Sequence, residues 1–156
     1  MARELETTAD MRNAAIALLA RREYSRAELE RKLGSRVAEP ALLTQVLDQL
    51  EVDGYQSDQR FAEVFTRSRL GSGYGQMRIR QELQRKGIER DRINQVIEAQ
   101  EIDSRQLARE CHQRRFGDRP VQDQKDYAKR MRFLVSRGFS FEDARLAITR
   151  AADDEG

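Results

Sequence analysis

Apolar residues recur at three- and four-residue spacings from one end of this chain to the other, and an alternating apolar–polar pattern never persists. That periodicity puts the interior side chains on helix faces and leaves no material for a sheet, so the expected fold class is all-α. A first helix runs near residues 9–22 and buries Met11, Ala15, Leu18 and Leu19. Ser25-Arg26-Ala27-Glu28 reads as a capping box, in which the serine oxygen and the glutamate each satisfy a free amide. It opens a short helix through Leu29 and Leu33 that stops at Gly34. Pro40 suits the first turn of the next helix, where its missing N–H costs nothing. That helix buries Leu43, Val46, Leu47 and Leu50 and ends at Gly54, and Ser57 or Asp58 caps another carrying Phe61, Ala62, Val64 and Phe65. Gly71-Ser72-Gly73-Tyr74-Gly75 interrupts the pattern and reads as a flexible connector. Helices follow near 76–86, 89–99 and 103–116, the first ending at Gly87. After a second joint at Gly117-Asp118-Arg119-Pro120 come helices near 122–137 and 141–152, the latter capped by Ser140, and a fraying acidic end at 153–156.

The helices fall into an internal repeat. Glu28-Leu29-Glu30-Arg31-Lys32 resembles Glu82-Leu83-Gln84-Arg85-Lys86, and Phe133-Leu134-Val135-Ser136-Arg137 is a looser third copy. Gly87-Ile88 follows the second as Gly138-Phe139 follows the third. A period of about fifty residues holds roughly three short helices. The expectation is three tandem modules, 1–70, 71–118 and 119–156, the last shorter than the others. Units of about 20 Å joined in series make an elongated, curved body of roughly 60 Å.

Several classes of protein are disfavoured. The longest apolar run, Ala14 to Ala20, is far short of the ~20 residues of a membrane span. The start, MARELETTAD, is acidic and lacks the apolar core of a secretory signal. One cysteine, Cys111, forbids an internal disulfide, and a reducing cytoplasm is the expected location. Catalysis needs a nucleophile–base pair, a metal cluster or a cofactor loop. His112 is the only histidine, and its neighbour Cys111 points about 100° away on a helix. Both read as structural residues. The GSGYG run lacks the Gly-Lys-Ser/Thr ending of a phosphate loop. No enzyme, cofactor or metal is expected.

Charge placement is more informative. The formal net charge is +2, yet residues 1–59 carry 8 Lys/Arg against 11 Asp/Glu, residues 60–137 carry 19 against 11, and residues 138–156 carry 2 against 5. A basic centre between two acidic ends points to a polyanion or an acidic protein groove as partner. Its densest part holds Arg67, Arg69, Arg78, Arg80, Arg85 and Lys86 against Glu82 alone, with Arg78 and Arg85 on one helix face and Glu82 in reach of Arg78. Tyr74 beside them is either a stacking ring or a packed turn residue. A second stripe comes from Lys125, Lys129 and Arg132 at spacings of four and three, opposite a core edge of Tyr127, Met131 and Leu134. Phe133 between the faces reads as packing. These ten basic and aromatic residues are the candidate partner- and DNA-binding set.

At these residues the chain resembles the RecX family of regulatory proteins. The resemblance rests on Tyr24-Ser25 with Glu28-Leu29 and Lys32-Leu33, then Gly54-Tyr55 with Asp58 and Arg60-Phe61-Ala62. It continues through Gly73-Tyr74-Gly75 with Arg78-Ile79 and Glu82-Leu83, Lys86-Gly87-Ile88 and Arg137-Gly138-Phe139. Gln56-Ser57 departs from the family's usual Leu-Asp after Gly-Tyr, though Ser57 can still cap. The resemblance implies tandem three-helix modules and a non-enzymatic regulator that binds the RecA–single-stranded-DNA filament. It further implies inhibition of strand exchange, ATP hydrolysis and SOS co-protease function. The implied partners are the RecA filament and single-stranded DNA, the latter weakly or only on the filament, with the protein a monomer. The alternative is a stand-alone nucleic-acid-binding module without sequence specificity.

Overall fold

Local chemistry sets the helix ends. Ser25 Oγ accepts from the Glu28 amide at 3.1 Å, and the Glu28 carboxylate accepts from the Ser25 amide at 3.0 Å, closing the expected capping box. Thr7, Asp103 and Asp123 each accept from the third amide of the helix they precede, and Ser57 and Ser140 do the same for the Arg60 and Asp143 amides. Pro40 occupies the first turn of its helix as expected.

The structure, a computed structural model, describes residues 4–153, with side chains described to residue 149. Its helices are α1 (Thr8–Leu19), α2 (Arg26–Gly34), α3 (Pro40–Val52), α4 (Asp58–Gly71), α5 (Gln76–Arg85), α6 (Arg90–Ala99), α7 (Ser104–Phe116), α8 (Gln124–Ser136) and α9 (Phe141–Asp153). Among the described residues the only β pairing is an isolated bridge between Leu5 and Val37. The fold is all-α.

The described residues form two units. One comprises those up to Phe65 together with Leu83–Val96, and the other Thr66–Glu82 with those from Ile97 onward. In the first, Met11, Ala15, Leu29, Leu33, Leu43, Leu47 and Leu50 form a dry core of α1, α2 and α3. In the second, Ala108, Cys111, Met131, Leu134, Phe139, Ala144 and Ile148 join α7, α8 and α9. The three leucines that mark the repeat, Leu29, Leu83 and Leu134, all have 0 % of their surface exposed. The repeat seen in sequence is therefore a repeat of core positions.

Three expectations change. Helix α1 stops at Leu19, three residues early, and Leu18 and Leu19 are only half-buried because they lie in its final turn. Val64 faces solvent, since Phe61 and Ala62 already fill the buried side of α4. Residues Gly71–Gly75 are a packed corner within the second unit, not a flexible connector. The Gly75 amide donates to the Arg137 carbonyl at 2.7 Å and the Met77 amide to the Gly138 carbonyl at 3.2 Å. A Cβ on Gly75 would stand 2.5 Å from the Gly138 carbonyl oxygen, so only glycine permits the approach. The departure at Gln56 is a buried polar side chain, satisfied by donating to the Tyr24 carbonyl at 3.2 Å and to Asp58 at 2.9 Å. Of the expected fraying end, residues 154–156 lie outside the described residues.

Candidate polyanion-binding surface

In the first unit, the capping-box carboxylate of Glu28 also takes Arg22 as a two-pronged partner at 3.3 and 3.2 Å and Lys86 at 3.0 Å. Burial alone would raise this carboxyl, but the bonds from Arg22, the Ser25 amide and Lys86 overcome it and hold it below its ordinary value. Lys86 is consequently half-buried and neutralised. Arg85 is exposed, while its carbonyl accepts from Arg31 at 3.2 Å.

In the second unit, Glu82 holds the position that Glu28 holds one repeat earlier. It pairs with Arg69 at 2.7 Å and with Arg78 at 3.0 Å. Burial again pulls its carboxyl up, and Arg78 and Arg69 overcome the effect and keep it low. The sequence pattern anticipates Arg78 as a partner but not Arg69, thirteen residues away. Three cations of the candidate set, Arg69, Arg78 and Lys86, are thus already paired internally.

Tyr74 lies half-buried under a ring of cations. The guanidinium carbons of Arg69, Arg78 and Arg137 stand 5.4, 4.5 and 4.6 Å from its centroid. Its face is occupied by arginine, which resolves the two sequence readings towards the packed one. Arg67 is exposed and Arg80 half-buried. On α8, Lys125, Lys129 and Arg132 are all exposed, and no ion pair joins them to a carboxylate among the described residues, although Lys129 helps lower Asp126 by its field.

The structure brings Arg69, Tyr74 and Arg78 into one cluster and adds Arg137, which the candidate set omits. The signal for Arg137 was present: it is the third-repeat counterpart of Lys86, preceding the glycine in both copies. Lys125, Lys129 and Arg132 remain a separate exposed stripe.

Cys111 and His112 are both buried in α7. Burial pushes the Cys111 thiol up, against the opposing pull of Arg137 and Arg114. His112 is 1 % exposed and its Nε2 lies 3.2 Å from the Arg130 guanidinium, which must donate, so the imidazole is the neutral acceptor. Burial and the Arg130 charge depress its pKa to about 4. Arg130 itself is buried, with Asp126 at 3.2 Å and the Arg119 and Pro120 carbonyls at 2.9 and 3.2 Å as its acceptors. Among the described residues, no group of three or more His, Cys, Asp or Glu could hold a metal ion.

The fold defines an all-α tandem-repeat protein. Three matches to known three-helix domains trace the repeat: residues 12–50 match the first three-helix domain of RecX, 57–97 the second and 101–148 the third. The chain belongs to the RecX family of regulatory proteins. It is 46% identical over 140 residues to the regulatory protein RecX of Chromohalobacter salexigens, covering 90% of this chain and 91% of that one. Against the RecX of Pseudomonas putida strain GB-1 it is 41% identical over 155 residues, covering 99% of each. A crystal structure of RecX from Lactobacillus salivarius superposes with a TM-score of 0.73 at 20% identity, over 94% of this chain and 96% of that one. Another, of regulatory protein RecX, gives 0.72 at 22% over 92% and 73%. These two establish the fold.

Proposed function

We propose that this protein is a regulator of the RecA recombinase that binds the RecA–single-stranded-DNA filament and inhibits strand exchange, ATP hydrolysis and SOS co-protease function without performing catalysis. The observation that carries the reading is family membership across all three tandem domains. The exposed cations Lys125, Lys129, Arg132, Arg67 and Arg85, which no ion pair joins to a carboxylate among the described residues, support it, because the phosphates of single-stranded DNA form a repeating polyanion. Single-stranded DNA is contacted chiefly in the context of the filament. The protein acts as a monomer in the cytoplasm, and none of the described helices is long and apolar enough to cross a membrane.

Purified protein added at substoichiometric levels should inhibit the DNA-dependent ATP hydrolysis of RecA. Unchanged ATPase and strand exchange at stoichiometric levels would overturn the reading. The second reading, a nucleic-acid-binding module acting alone, draws on the same unpaired cations. Tight binding to naked single strands, no tighter on the assembled filament, would favour it.

A further inference from the structure

The second unit contains a cleft that the function proposed above has not used. It has a volume of roughly 160 Å³ and is lined by Ser72, Gly73, Cys111, Arg114, Arg115, Phe133 and Arg137. The residues come from the corner after α4, the last turns of α7 and the end of α8.

Its charge differs in kind from that around Glu82. No carboxylate pairs with Arg114, Arg115 or Arg137 among the described residues, so the cleft presents three guanidiniums with no internal counter-ion. Aromatic rings hold two of these forks in place. Arg115 and Arg137 stand 5.6 and 5.2 Å from the centroid of Phe133, and Arg115 is also 5.2 Å from that of Phe116. Phe116 meets Phe133 edge to face at 5.6 Å, which fixes the ring the arginines rest on. Ring contacts orient a guanidinium without neutralising it. Gly73 lines the mouth at a positive φ of +87°.

Oriented forks that pair with no carboxylate among the described residues match the oxygens of a phosphate. We propose that this cleft is a backbone subsite, taking one or two phosphodiesters of a single-stranded nucleic acid between Arg114, Arg115 and Arg137. The inference rests on the proposed reading only in taking nucleic acid as part of the target.

The test compares Arg114→Gln/Arg115→Gln with a control pair, Arg21→Gln/Arg90→Gln, that removes the same charge from exposed positions elsewhere. Binding of a fluorescent oligothymidylate is followed by anisotropy as salt is raised. The cleft pair should weaken binding about tenfold and reduce the salt slope by about 1.4, the share of two phosphates on a single strand, with an unchanged melting curve. Arg137→Lys, which keeps the charge but loses the fork, should fall between the two pairs. A loss no greater than that of the control pair overturns the proposal. So does competition by thymidine monophosphate as effective as by the oligonucleotide, which would make free nucleotides the ligand. Binding of polyglutamate that depends on the two arginines, while oligonucleotide binding does not, overturns it as well. RecA ATPase inhibition by the unaltered protein is measured in parallel. Inhibition retained with a cleft that proves indifferent to DNA would remove the subsite and leave the regulatory reading standing; a cleft-dependent DNA complex without inhibition would do the reverse.

Discussion

Ser25 Oγ donates a 2.7 Å hydrogen bond to the carbonyl of Lys86, sixty-one residues further along the chain. The same joint is built a second time. Gly75, whose carbonyl accepts the first helical bond of α5 from Ile79 and which therefore caps that helix, donates its amide to the carbonyl of Arg137 at 2.7 Å. In both cases the accepting carbonyl belongs to the residue before a glycine with positive φ, Gly87 at +81° and Gly138 at +103°. In both cases that glycine presses on the helix just capped. A Cβ on Gly87 would lie 2.5 Å from the Ala27 Cβ, and one on Gly138 2.5 Å from the Arg78 Cβ. The cap of one repeat is thus the lock for the next.

Adding a methyl group to the lock should be costly. Gly138→Ala must place a side chain at a left-handed φ and push into the backbone of Arg78 as well as its Cβ, 2.7 Å and 2.5 Å away. Backbone strain and overpacking together predict a loss of about 3 kcal/mol, read from urea unfolding. Gly34→Ala is the comparison: nothing lies within 4 Å of its added Cβ, and its φ is ordinary. There the expected change is within about 1 kcal/mol, and of stabilising sign. Equal effects at the two positions would mean the joint is loose.

The paired carboxylates predict the acid limb of stability. Glu28 and Glu82 both have folded pKa values below their unfolded ones, so their contributions are complete above about pH 4.5 and disappear as pH falls through the folded values. Glu28→Gln at neutral pH should cost about 2 kcal/mol, because it weakens charge-assisted bonds to Arg22 and Lys86 at once. Glu82→Gln should cost less, as its side chain is 17% exposed against 9% for Glu28. Denaturation curves at pH 7 and pH 3.5 check both, since the gap from the unaltered protein should narrow at the lower pH.

His112 acts in a different window. Its folded pKa of about 4 lies below the ordinary 6.5, so between these values the unfolded chain binds the extra proton. Stability is complete above pH 6.5 and declines as the pH falls towards 4, by on the order of 3 kcal/mol in all. The groups facing the ring are Arg130 and Phe116, with Asp126 behind Arg130. His112→Gln keeps an acceptor for the Arg130 fork but cannot titrate. Its stability should be flat between pH 6.5 and 4.5, where that of the unaltered protein falls.

What the sequence makes legible is what is local. The capping box at Ser25, the proline start at Pro40 and the core stripe Leu43-Val46-Leu47-Leu50 depend on residues within a turn or two of one another, and each is found in the structure. The repeat is legible because Leu29, Leu83 and Leu134 keep one register. Position Gly71–Gly75 misleads because glycine has the same local signature in a hinge and in a tight packing corner, and what separates them is Gly138, more than sixty residues away. The burial of Arg130 is illegible for a related reason. Its charge marks a surface residue, and only the converging carbonyls of Arg119 and Pro120, the Asp126 carboxylate and the Phe116 ring make its burial tolerable. The cleft arginines come from two helices and a corner, so no window of sequence gathers them.

The candidate surface divides into cations that can be altered cleanly and cations that cannot. Neutralising Arg69 or Arg78 strips Glu82 of a partner, so loss of binding would be mixed with loss of fold. Lys125, Lys129 and Arg132 are exposed on one face of α8 and hold no carboxylate among the described residues, so their triple replacement by glutamine should change stability by at most about 0.5 kcal/mol per site. If this stripe meets the filament, the concentration for half-inhibition of RecA ATP hydrolysis should rise about tenfold or more, and the inhibition should become less sensitive to salt because fewer counter-ions are released. Arg67→Gln/Arg85→Gln tests the other exposed pair in the same assay. Half-inhibition unmoved by both sets would show that these five cations serve solubility alone, and the filament contact would then have to be sought at the Arg114–Arg115–Arg137 cleft or among the apolar surface residues Val52, Met77 and Phe141.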